Sequence, residues 1–219
     1  MGDALADAFL LLLHVLILVY WLGGDLGAFV ASFLISNPKK DRAARLGAAG
    51  LLGDVDMAPR TALILAFPTG LTLTVLRGWI PMDPVWLIPA WIGSAIWLWI
   101  AWRIHLAHGV AGSLRKVDLA IRWLAAGTLG VAGAMGLTGA LGLPLFIALK
   151  LIILAACILT GLLVRRLTAD LGPALGALAA GEIDADARIA RSLALTRPAV
   201  LLIWLLLLTA TFLGLWTPA

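Results

Sequence analysis

An all-α bundle that crosses a bilayer about six times is the fold class this sequence predicts, and three observations predict it. The 219 residues are 63% hydrophobic and only 13% charged, with a mean hydropathy of +1.06. An ordinary soluble domain is roughly half apolar and about a quarter charged. A water-soluble core of this size still needs a polar shell, so the excess apolar surface has to face lipid. The apolar runs are continuous rather than alternating, which selects helices over a barrel, and only those two pair every backbone N–H and C=O within hydrocarbon. Finally, the cations gather in alternate connections between the runs, as an even number of crossings requires.

Each crossing needs roughly 20 mostly apolar residues. Six runs supply them: 8–35, 58–77, 85–104, 121–141, 145–165 and 197–216. Only Gly142, Leu143 and Pro144 separate the fourth from the fifth. The start, Met1 to Asp7, carries acids and no cation, so it does not read as a cleavable leader, and the first helix is expected to remain. The whole chain, 1–219, reads as one transmembrane domain. The single cysteine, Cys157, excludes an intramolecular disulfide and a cysteine-only metal cage.

The connection 36–60 carries Lys39, Lys40, Arg42, Arg45 and Arg60; 103–122 carries Arg103, Arg115, Lys116 and Arg122; 165–197 carries Arg165, Arg166, Arg188, Arg191 and Arg197. These are all of the lysines and arginines but Arg77 and Lys150. The positive-inside rule places them in the cytoplasm and both termini outside, in a membrane expected to be the bacterial inner membrane. The formal charge of +4 follows from loops that face anionic lipid, so no nucleic-acid partner is called for. Residues 173–195 mix Ala and Leu with Glu182, Asp184, Asp186, Arg188 and Arg191. They read either as a helix on the cytoplasmic surface or as a solvated linker helix.

Ionisable side chains inside spans cost several kcal/mol on insertion scales and are mostly functional. His14, Asp25 and Lys150 stand out. The first helix runs inward from about residue 8, which puts His14 roughly 9 Å below the outer surface at 1.5 Å per residue. The fifth also runs inward, so Lys150 lies near the same depth. A snorkelling lysine and a histidine bonded to a neighbouring helix are the plain accounts of each alone; neither explains the matched depth. A neutral imidazole binds haem iron or relays protons, and an ammonium holds a carboxylate such as a porphyrin propionate. Asp25 lies on the inner half of the first helix, and Arg60 at the inner edge of the second, so an interhelical charge pair is expected, with a proton relay at Asp25 as the alternative. Asp56 reads as the N-cap of the second helix, with Pro59 in its first turn.

His105 and His108 are three apart and face the same way on a helix, a spacing that permits a metal, although interfacial histidines are common beside arginines. Met135 is either a core methionine or a second axial ligand for an iron at His14. The fourth span has a glycine at every third position from Gly127 to Gly142, which suits close helix packing or a flat macrocycle lying against it. Pro68 interrupts the second helix, removing one backbone donor. In the Trp-rich third span, Trp91 and Trp97 are expected to line a lipid or partner surface.

These residues resemble the HemJ-type protoporphyrinogen oxidases and, more loosely, the CopD-like copper-resistance membrane proteins. The carrying features are His14, Trp21, Gly23 and Gly24 in the first helix, Arg60 and Pro68 in the second, and Lys150 with the basic end Arg165-Arg166 in the fifth. The resemblance implies a b-type haem in a helical bundle, with His14 as ligand and Lys150 as the catalytic group that binds substrate or a propionate. It covers spans one, two, five and six. The family commonly has a second histidine about eleven residues after the lysine, where this chain has Gly161, and commonly has four spans.

The leading expectation is therefore a haem b- or porphyrin-binding membrane redox protein that passes electrons to quinone. The rival is a non-catalytic subunit that anchors a larger membrane complex. A metal or small-solute transporter ranks last, because the chain shows no internal repeat and only one broken helix.

Overall fold

A computed structural model describes residues 2–107 and 112–218. Among them the protein is all-α, with eight helices: α1 (Gly2–Ile35), α2 (Arg42–Val55), α3 (Met57–Leu76), α4 (Leu87–Leu106), α5 (Gly112–Leu137), α6 (Leu145–Leu167), α7 (Leu171–Ala180) and α8 (Ala185–Trp216). A 3-10 turn, Pro84–Trp86, leads into α4, with the Asp83 carboxylate accepting from Val85 N–H. Six helical segments are long and apolar enough to cross a membrane, in agreement with the six apolar runs.

Several helices outrun their apolar stretches. α1 is 34 residues long, about 51 Å at 1.5 Å per residue. α5 begins nine residues before the predicted 121, and α8 begins twelve before 197. Hydropathy marks only the lipid-facing length, whereas a helix continues as long as its polar turns find partners in the protein. α5 stops earlier than expected because Gly139 (φ +78°) and Gly142 (φ +57°) adopt the left-handed conformation that ends helices.

α1, α3, α4, α5, α6 and α8 touch in turn, and α8 returns to α1, so the six long helices close a ring. Its axis is filled by Trp21, Leu63, Leu129, Ile158 and Ile203 from five different helices. Two close approaches depend on glycine. A Cβ on Gly24 would sit 2.7 Å from Pro59 Cδ, and one on Gly133 would sit 2.6 Å from Ile152 Cγ1 and 2.9 Å from the Ala148 carbonyl. α1 against α3 and α5 against α6 pack as tightly as they do because those side chains are missing.

A second core caps the cation-rich end. α7 and the first turns of α8 fold onto α2, burying Ile35, Ala174 and Ile189. The segment 173–195 is thus two helices broken at Gly181 (φ +82°), not one surface helix. Buried Arg45 fastens this end, its Nε donating to the Ile35 carbonyl at 2.8 Å and its Nη2 lying 2.7 Å from Asp186. Arg197 donates to Ser32 Oγ at 3.0 Å and to Ser36 Oγ at 2.8 Å, tying α8 to α1.

Candidate functional site

Two polar regions lie within the ring, one towards each end. The first is built on α1 and α3. Thr69 Oγ1 lies 2.7 Å from the Leu65 carbonyl of its own helix and 2.9 Å from His14 Nδ1. The hydroxyl has one proton, and the carbonyl can only accept it, so Thr69 accepts from Nδ1–H. That arrangement leaves the lone pair of His14 on Nε2, which makes no hydrogen bond among the described residues. Gly70 lies against the ring: a Cβ there would be 3.2 Å from His14 Cε1.

The half-buried Lys150 is within electrostatic reach of His14. Its Nζ lies beside Gly214, two residues short of the end of α8, where a Cβ would meet it at 2.5 Å. Among the described residues it has no ion-pair partner. The fold therefore brings His14 and Lys150 to one end of the bundle, as their matched depth predicts. It does not bring Met135 there, since that side chain is 42% exposed on the outside of the ring.

The glycine row on α5 offers no flat face for a macrocycle. Three residues advance about 300° around a helix, so the row winds around it. Only Gly130, Gly133 and Gly136 meet α6, and Ala155, Ile152 and Ala148 already fill that space.

The second region is a cavity of about 770 Å³ at the cation-rich end, with walls drawn from all eight helices. Trp21, Asp25 and Cys157 lie on it, as do Arg60, Arg115, Arg122, Arg165 and Arg197. The expected pair between Asp25 and Arg60 does not form. Arg60 is ion-paired to Asp56, one turn earlier on the same helix face. A partner four residues away costs less side-chain reach than one on a neighbouring helix, so the local pair wins. The Asp56 carboxylate consequently makes no capping bond to the α3 backbone. Asp25 is left with Oδ2 buried and unbonded.

Reading 103–122 as a loop hid Asp118. The carboxylate is buried on α5, where Arg122 Nε donates at 3.0 Å, Arg165 Nη1 from α6 at 3.0 Å and Trp97 Nε1 from α4 at 2.9 Å. The i, i+4 spacing of Asp118 and Arg122 was the available signal. Trp97 is accordingly an interior residue and not a lipid-facing one, and Trp91 Nε1 donates to Thr72 Oγ1 at 3.0 Å, joining α4 to α3. His105 lies 3.4 Å from Asp54, while His108 falls outside the described residues. Among the described residues no group of three or more His, Cys, Asp or Glu is placed to hold a metal ion.

A closed ring of membrane-length helices, with His14, Asp25 and Lys150 buried or half-buried in it, defines the class: this is an integral membrane protein in contact with lipid. Comparison with protein-family models, with curated proteins and with solved structures finds no match.

Proposed function

We propose that this membrane protein holds a haem b, or a related porphyrin, at the His14 end of the ring and serves membrane redox chemistry. The observation that carries the reading is the tautomer of His14. Histidines that ligate a metal usually donate their other ring N–H to a fixed acceptor, which sets the ring orientation. Thr69 is such an acceptor, with its own proton committed to the Leu65 carbonyl. Nε2 is the nitrogen left to bind iron.

Lys150 supplies an unpaired ammonium for a propionate, and Gly70 leaves room for the Cε1 edge of the imidazole to lie close to α3. Neither Met135 nor Gly161 supplies a sixth ligand, so His14 would act as the single protein ligand. A haem bound there supplies one-electron transfer, and a membrane quinone is the electron partner this reading asks for. On this reading the membrane is a bacterial inner membrane and the cation-rich end faces the cytoplasm, as the positive-inside rule favours.

An optical spectrum of the protein purified in mild detergent tests the proposal. The expected result is a Soret band that His14→Ala removes and Lys150→Gln weakens. No Soret band and no extractable haem or porphyrin, together with co-purification of a larger assembly, would overturn it in favour of a non-catalytic subunit.

A further inference from the structure

The cavity at the cation-rich end lies about 16 Å along α1 from His14, counting eleven residues between His14 and Asp25. What it holds is therefore a separate question from haem binding. Its charge is unbalanced. Arg60 is neutralised by Asp56, and Arg122 and Arg165 share the single carboxylate of Asp118. Arg197 is held by neutral groups, the serines at 32 and 36 and the Ser32 carbonyl. Arg115, also on the wall, has no ion-pair partner among the described residues. Five guanidiniums thus face three carboxylates, those of Asp25, Asp56 and Asp118, and the surplus lies at the Arg115, Arg165 and Arg197 end, so that part of the wall attracts an anion.

An inorganic anion would not fill it. A volume of about 770 Å³ falls in the range of sites for drug-sized molecules, roughly 300–1,000 Å³. Deeper in, the wall is apolar, with Trp21, Leu63 and Ile203. At the same depth the Asp25 carboxylate, only 8% exposed, lies on the wall beside the indoles of Trp21 and Trp204, with Oδ2 buried and still without a hydrogen bond. A buried acceptor without a donor is costly and calls for a partner. Ser32, which positions Arg197, lies two turns further along α1, so acid-binding group and acceptor are about 10 Å apart along the axis.

We propose that this cavity binds an amphipathic organic anion with two polar ends. Its acid group lies among Arg115, Arg165 and Arg197, its apolar body packs on Trp21, Leu63 and Ile203, and a hydroxyl or amine at its far end donates to Asp25. Phospholipid does not satisfy these requirements, because its chains end in methyl groups. The occupant is a small ω-hydroxy or ω-amino acid, or an aromatic acid of similar length.

Calorimetric titration of the full chain in neutral detergent, corrected for uptake by empty micelles, provides the test. The probes are 8-hydroxyoctanoate, octanoate, octane-1,8-diol and acetate. The hydroxy acid is expected to bind at least tenfold more tightly than each of the other three. Asp25→Leu should abolish its advantage over octanoate. Arg115→Gln, at an exposed position where folding is not at stake, should weaken both long acids several-fold and leave the diol unchanged. Equal binding of acid and diol, or an advantage over octanoate that survives Asp25→Leu, would overturn the proposal.

Discussion

His14 Nδ1 donates to Thr69 Oγ1 at 2.9 Å across the contact between α1 and α3, one residue after the proline that lies within the continuous α3. The same threonine hydroxyl donates to the Leu65 carbonyl at 2.7 Å. One hydroxyl thereby fixes the position of a helix and the protonation pattern of an imidazole.

Thr69→Val keeps the shape and removes the acceptor. A part-buried N–H without a partner costs about 1–3 kcal/mol, and loss of such an outer-shell partner typically lowers metal affinity 10–100-fold. Haem retention should fall by that order while the helical circular dichroism is kept. Thr69→Ser should restore both stability and retention.

Gly70→Ala separates the imidazole from the fold. Alanine is favoured over glycine in a helix interior by about 1 kcal/mol, so thermal stability should hold or rise. The new methyl, 3.2 Å from His14 Cε1, pushes the ring, and the Soret maximum or haem occupancy should change. A variant unchanged in both would remove His14 from the site.

The glycines of α5 should divide by position. A Cβ at Gly133 has Ile152 and the Ala148 carbonyl in its way, whereas one at Gly127 has nothing within 4 Å. Gly133→Ala is expected to cost about 1–3 kcal/mol through overpacking. Gly127→Ala should be neutral or stabilising, both read from thermal unfolding in detergent.

Asp118 joins three helices through Trp97, Arg122 and Arg165. Removing one member of a buried ion pair costs roughly 3–5 kcal/mol. Asp118→Ala should accordingly be among the most damaging substitutions in the chain. A midpoint within two degrees of the parent would show that the cluster does not hold the ring together.

Asp25 and Arg60 offer a contrast of sign. With no cation on Asp25, Asp25→Asn breaks no ion pair and should leave the unfolding midpoint level or higher. Arg60→Gln removes only a half-exposed local pair, worth about 0.3–0.5 kcal/mol. A large loss in both variants would restore the interhelical pair that the sequence suggested.

The membrane class, the six apolar helical runs and the common level of His14 and Lys150 were legible in the chain, because hydropathy and helix rise depend only on local composition and the fixed 1.5 Å step. His14 and Lys150 could be placed at one level for that reason. Which way a side chain points around its helix depends on neighbour order and rotation, and no single-helix pattern carries those. Asp118 falls by hydropathy in a connection, and only the packing of α4 and α6 brings Trp97 and Arg165 to it. Met135, by sequence either a core methionine or a ligand, is neither, because the ring turns it outward. Asp25 lost its expected partner to a local pair, since Arg60 reaches Asp56 without leaving its own helix. The sequence by itself determined that polar groups would lie at two depths in a lipid-embedded bundle. Only the tertiary structure decided which of them meet, because closing six helices into a ring selects one face of each.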